Sequence, residues 1–171
     1  MKIDPLDGRL ARPGVLYLMW CHAGKDNAEV EALAQEVDDA VNGRFGPLDF
    51  WVYTVVALGA DYPTAIDQAK RGAAAGILCL DDPFLASAAC MTELRYFHGL
   101  DRAIPLGFGP VAWDDPRLTP ELRDFARRRR YPLGDDSYLD VLGRRNPGER
   151  ARFAGEFAQA IEAWLRARGL R

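Results

Sequence analysis

The chain has 171 residues, about half of them apolar, enough to bury one substantial core, and one domain is the expectation at this size. Its formal net charge is −3 and its pI about 5.4, which argues against a dedicated nucleic-acid module. No apolar run reaches membrane-spanning length, and the opening residues Met1 to Pro5 lack the apolar centre of a signal peptide. The three cysteines, Cys21, Cys79 and Cys90, are odd in number and share no C-x-x-C spacing. They read as free thiols of a reduced, cytoplasmic protein, with Cys79 a small buried hydrophobe inside an apolar strand.

Residues 1–14 are charged and proline-containing and read as an extension; residues 15–171 read as the domain. Residues 15–20 form a short apolar run after Pro13-Gly14, as a buried strand should. A loop over 21–27 leads to a helix over 28–41. There Val30, Leu33, Ala34, Val37 and Val41 recur at helical spacing with acidic residues mostly outside, and Gly43 marks the stop.

Residues 48–56, rich in aromatic and β-branched side chains, predict a second strand. A loop over 58–63 precedes a helix from Pro63 or Thr64 to about Arg71. The run 76–80 predicts a third, fully buried strand. It ends in a turn that leads straight into a helix carrying Glu93 and running to about Gly99. Residues 103–108 predict a fourth strand, with Pro105 marking a position near a sheet edge.

A short helix is expected over 116–130. Its Arg127-Arg128-Arg129-Arg130 run reads as a solvated helix end before Tyr131-Pro132, the alternative being a patch for phosphate or an acidic partner. Residues 131–133 suggest a brief edge strand, and 134–148 a loop with a helical turn around 138–142. The last helix, 152–168, aligns Phe153, Phe157, Ile161, Trp164 and Leu165 on one face that the rest of the domain must cover. Strands separated by helices of this length imply a parallel sheet with right-handed crossovers. The predicted class is a flavodoxin-like three-layer α/β sandwich with a central parallel sheet of about five strands.

After the third strand, Phe84, Ser87, Cys90, Glu93 and Leu94 fall in step with one family signature. In it a strand is followed by an aromatic residue, then Ser, one free position, Trp, Cys, two free positions and Glu-Leu. The segment resembles that signature of the Toll/interleukin-1 receptor (TIR) domain. Trp20-Cys21-His22-Ala23-Gly24-Lys25-Asp26 is similar to the family's first box, residues 57–63 stand where its BB loop lies, and Ile104-Pro105-Leu106 resembles its Ile-Pro-Val strand. The last helix is in register with the family's closing helix, and the match spans roughly residues 15–108. Two positions depart from the pattern: Asp81 stands where the family usually has Ser or Thr, and Ala89 where it has Trp.

The resemblance, to a bacterial-type TIR protein, implies cleavage of the nicotinamide–ribose bond, with NAD⁺ as substrate and no cofactor. Nicotinamide leaves neutral and needs no general acid, so one carboxylate suffices where ordinary glycosidases use two. Glu93 is the implied catalytic residue, stabilising an oxocarbenium-like transition state or holding the ribose hydroxyls, with the N–H groups of its helix's first turns favouring its charge. Binding residues would be His22, Ala23 and Lys25 on the ribose or diphosphate side, Gly59 and Asp61 on the nicotinamide side, and Ser87 at a ribose hydroxyl. The implied partners are NAD⁺ and further copies of the chain or other TIR domains, which complete the pocket, with no nucleic acid and no membrane. The implied setting is bacterial antiviral immunity, with depletion of NAD⁺ in the infected cell.

Plainer readings stand beside these. Glu93 could be an exposed helix carboxylate in an i to i+4 pair, Ser87 a helix cap, His22 a solvated loop residue and His98 a partner of its helix's C-terminal dipole. A TIR scaffold that acts only by binding other TIR domains is favoured by Ala89, the enzyme by Glu93. A nucleoside deoxyribosyltransferase-like enzyme, with a similar sheet and its own glutamate, is a third reading. Asp81-Asp82 lacks further ligands at metal spacing. A phosphoacceptor receiver would want an acidic pair after strand one and a late Lys, where this chain has Cys21-His22 and Leu106-Gly107.

Overall fold

A computed structural model describes residues 16–45, 48–52, 62–132 and 136–170. The expected N-terminal extension, the end of the second strand beyond Val52, and Gly59 and Asp61 lie outside the described residues. Strands β1 (Leu16–Cys21), β2 (Leu48–Val52), β3 (Ala75–Leu80) and β4 (Ala103–Gly107) form one parallel sheet in the order β2-β1-β3-β4. Among the described residues the sheet has four strands where about five were expected. The fifth position is held by a single parallel bridge from Tyr131 to Leu106, and Leu133 of the expected edge strand lies outside the described residues. Tyr131 N–H donates to Pro105 C=O at 2.8 Å, so the ring of Pro105 faces the edge of the four-stranded sheet as its chemistry requires.

Helices α1 (Asn27–Asn42), α2 (Tyr62–Gly72), α3 (Asp82–Ala86), α4 (Ala88–Gly99), α5 (Pro120–Arg129), α6 (Tyr138–Gly143) and α7 (Pro147–Ala167) surround the sheet. Among the described residues no helix is long and apolar enough to cross a membrane.

Alternation along the strands divides the core into two layers. Leu18 and Trp20 of β1, Phe50 of β2, Ile77 and Cys79 of β3 and Leu106 of β4 face α1 and α7. Tyr17, Met19 and Cys21 of β1 and Leu78 and Leu80 of β3 face α2, α3, α4 and α5. β1 and β3 are thus covered on both faces, which is why they read as unbroken apolar runs. The aromatic stripe of α7 meets its cover here: Phe157 stacks on Tyr131 at 5.1 Å and meets Trp20 edge-on at 6.1 Å.

Element ends differ from the sequence expectation where capping chemistry intervenes. The segment after β3 holds two helices, not a turn and one helix. Asp81 caps α3 by accepting Phe84 N–H at 2.7 Å, and Ser87 ends α3 and caps α4 by accepting Cys90 N–H at 3.3 Å. α7 begins five residues earlier than its apolar stripe, at Pro147, because Asn146 caps it and proline suits the first helical position. α5 starts at Pro120, not at residue 116, because Asp115 instead binds Arg117 in a turn.

Gly76 sets how closely α4 approaches the sheet. A Cβ there would overlap the ring of Phe97, which lies directly on β3. Gly76→Ala is therefore expected to lower unfolding stability by about 1–3 kcal/mol through overpacking. Gly99→Ala, at the end of α4 with open space around it, should leave stability unchanged or slightly raised. Urea denaturation of the two variants checks the contrast.

Candidate functional site

In an open parallel sheet, ligands bind outside the carboxyl ends of the strands where chain connections diverge. Here β1 lies between β2 and β3, so the chain leaves β1 in one direction and reaches β3 from the other, and the divergence falls between the ends of β1 and β3. A cleft of about 220 Å³ opens there. Its walls come from the end of β1 and the loop after it, through Met19, Cys21, His22 and Gly24, and from Ile66 of α2. The opposite wall is the start of α4: Ser87, Ala89, Cys90 and Glu93.

Glu93 is the sixth residue of α4 and 8% exposed, so the reading of an exposed surface carboxylate fails. It stands one turn beyond the first turn that was expected to support its charge. The first-turn Cys90 N–H is already taken by Ser87. Without that support, burial dominates and pushes the carboxyl from its ordinary value of 4.5 up to about 7. Two groups act in the opposite direction: a hydrogen bond from the Cys21 thiol, then the positive charge of Lys70. The Lys70 ammonium is 3.1 Å from Asp67 and lies over the Tyr96 ring at 5.1 Å, one helical turn beyond Glu93.

The thiols that line the cleft are kept protonated. Burial first, and then the Glu93 charge, raises Cys21 well above its usual range. Burial pushes Cys90 up to about 11, with the Ser87 hydrogen bond opposing. Cys21 therefore stays a protonated thiol and not a nucleophile, its Sγ 4.0 Å from the Met19 carbonyl oxygen.

Of the other expected site residues, His22 and Ser87 join Glu93 in the cleft wall. His22 is 6% exposed, not a solvated loop residue, and its Nδ1 lies 3.1 Å from the Ala23 carbonyl oxygen. An Nδ1–H donated to that carbonyl leaves Nε2 as the acceptor. Ser87 caps α4, as its plainer reading had it, and also lines the cleft. Ala23 and Lys25 are not brought into the wall: Ala23 is buried beside it, and Lys25 is exposed on a 3-10 turn over Gly24–Asp26. That turn sends Gly24 into the cleft and carries the lysine outward.

Cys21, Ile66 and Lys70 are the contributors that sequence reasoning missed. The signals were present: Cys21 shares strand parity with Met19, and Ile66 and Lys70 are one turn apart on α2. Asp81 and Asp82 act as structural acceptors. The first caps α3, and the second accepts Ala112 N–H at 2.6 Å. His98 lies in the last turn of α4, its ring 4.6 Å from that of Phe125.

A carboxyl raised from 4.5 to about 7 binds its proton more tightly folded than unfolded, so the folded state loses stability as pH rises between those values. Glu93→Gln should then be more stable than wild type by up to about 3 kcal/mol at pH 8, with the gain shrinking below pH 7 and absent near pH 4. Thermal or urea unfolding across that range is the check, and a pH-independent difference would contradict the buried carboxylate. The chain matches no protein-family model and no curated protein sequence, so the function must be read from this geometry and from the residue pattern.

Proposed function

We propose that this protein is a TIR-like NAD⁺ nucleosidase, a hydrolase that cleaves the bond between nicotinamide and ribose, with Glu93 as its catalytic carboxylate. The observation that carries the reading is the burial of Glu93 in a cleft at the divergence of β1 and β3. Ordinary helix glutamates face water, and one buried at this edge of a parallel sheet is where catalytic groups belong. The cleft is below the roughly 300–1,000 Å³ of complete small-molecule sites and suits a base with its ribose better than a whole dinucleotide. A neighbouring copy completing the site agrees with that size and with the family resemblance.

In the proposed reaction the C1′–N bond of NAD⁺ breaks and its electron pair leaves with the nicotinamide ring nitrogen, which becomes neutral. The ribose carbon acquires oxocarbenium character. The ionised Glu93 carboxylate, in a site screened from water, stabilises that charge more strongly than it would in solution. Water then adds to C1′ and gives up one proton, for which a carboxylate with a pKa near neutrality is a suitable acceptor. Overall, NAD⁺ and water yield nicotinamide, ADP-ribose and a proton. Ser87 and His22, across the cleft wall, supply polar atoms for the ribose hydroxyls.

One observation favours a second reading, a TIR scaffold that works through TIR–TIR contacts without catalysis. Ala89, where the family pattern has Trp, is exposed in the cleft's lining and leaves the α4 wall without an aromatic side chain.

Nicotinamide release from NAD⁺ by concentrated protein, free and clustered on beads, decides between them. The nucleosidase releases nicotinamide, Glu93→Ala loses at least about a hundredfold of the rate, and kcat/KM rises with pH through about 7 as Glu93 ionises. Folded, clustered wild type that releases none overturns the enzyme in favour of the scaffold.

A further inference from the structure

Charge is distributed unevenly around the Glu93 cleft. Among the described residues its lining holds no lysine or arginine, and Glu93 is its one carboxyl group. Lys25, close by in the chain, is carried outward on the 3-10 turn over Gly24–Asp26. Lys70 is held 3.1 Å from Asp67 and over the Tyr96 ring, and it acts on Glu93 from outside the lining. Met19 and Ile66 give the cleft apolar surface, and Ser87 and His22 give it polar atoms.

A dinucleotide brings a diphosphate, and its negative charges would enter a lining that offers an acid and, among the described residues, neither a guanidinium nor an ammonium to pair with them. The nucleoside part alone is the opposite case. Without phosphate, an N-ribosylpyridinium carries one positive charge, which an ionised Glu93 attracts more strongly in this half-enclosed site than it would in water. Size points the same way, since the cleft of about 220 Å³ lies below the roughly 300–1,000 Å³ of sites that enclose larger ligands. The polar atoms match a ribose: Ser87 Oγ accepts the Cys90 N–H and keeps its own O–H to donate, while the Glu93 carboxylate accepts from a ribose hydroxyl. Ile66 and Met19 offer the pyridine ring an apolar surface.

We propose, resting on the nucleosidase reading, that one copy of this chain holds a complete site for a phosphate-free N-ribosylpyridinium and cleaves it without a neighbouring copy. Nicotinamide riboside is the simplest such substrate. A second copy is then needed only for the adenosine diphosphate part of NAD⁺. In the reaction the C1′–N bond breaks and its electron pair stays with the ring nitrogen, which becomes neutral. The oxygen of water bonds to C1′, and the water proton passes to Glu93 and on to solvent. Nicotinamide riboside and water yield nicotinamide, ribose and a proton.

The test is nicotinamide release from nicotinamide riboside and from NAD⁺ by the whole chain, dilute and clustered on beads. In dilute protein, kcat/KM for nicotinamide riboside should exceed that for NAD⁺ by at least about tenfold and change by less than about twofold on clustering. Glu93→Ala, with its fold checked by circular dichroism, should lose at least about a hundredfold of the nicotinamide riboside rate. Cleavage of nicotinamide riboside that needs clustering, that is slower than cleavage of NAD⁺, or that survives in Glu93→Ala would overturn the inference. NAD⁺ cleaved while nicotinamide riboside is untouched refutes this inference and leaves the nucleosidase reading standing. Nicotinamide riboside cleaved by dilute protein while NAD⁺ is untouched even when clustered sustains the phosphate-free substrate and removes NAD⁺. Neither substrate cleaved by folded, clustered protein overturns both.

Discussion

Two adjacent parallel strands, β1 and β3, are buried on both faces, and the rest of the molecule is arranged around that constraint. A parallel pair cannot be closed by a hairpin, so each strand must be followed by a crossover. Here the crossovers supply helices to both layers, and the strand ends gather on one edge. Strand parity then decides which layer each side chain enters. Trp20 goes to α1 and α7 and meets Phe157, while Met19 and Cys21 go to the side where α4 lies. The close approach of α4 follows from a missing side chain, since only glycine at position 76 leaves room for the Phe97 ring.

That close approach makes the candidate site electrostatically demanding. α4 carries a glutamate inward beside two cysteines, and the nearest compensating charge is a lysine that is itself shared with Asp67 and the Tyr96 ring. A hydrophobic residue at position 93 would satisfy the core better. A carboxyl kept there against the cost of burial has the energetics of a functional group, because destabilising arrangements of this kind concentrate where chemistry is done. The protonated Cys21 thiol and the Lys70 charge both oppose that cost without cancelling it.

The two helical layers also differ in how their polar groups are used. Around α3 and α4, Asp81, Asp82 and Ser87 are occupied with capping and loop closure, which leaves Glu93 as the conspicuous unshared acid. Around α6 and the start of α7, Ser137 and Asp140 form a reciprocal capping box and Asn146 caps the next helix, so the short connection between them is rigidly specified. Arg145, with its positive φ, stands between those two caps.

The order of strands and helices was legible in the residues themselves. Apolar runs at 16–21 and 75–80, helical periodicity through Val30, Leu33, Val37 and Val41, and the stripe of α7 are local patterns set by backbone geometry. Pro105 marked the edge because a missing donor is a property of one residue. Ends were less legible where a cap outranked the apolar pattern, as at Asn146 and Ser87. Glu93, His22 and Ser87 were singled out by the family resemblance, and they flank two strand ends that a parallel sheet brings together. Only the tertiary structure decided that Glu93 is buried, that Lys25 turns away while Gly24 turns in, and that burial outweighs Cys21 and Lys70 in setting its charge. Each depends on distances between elements far apart in the chain, which burial and packing set and local sequence does not encode.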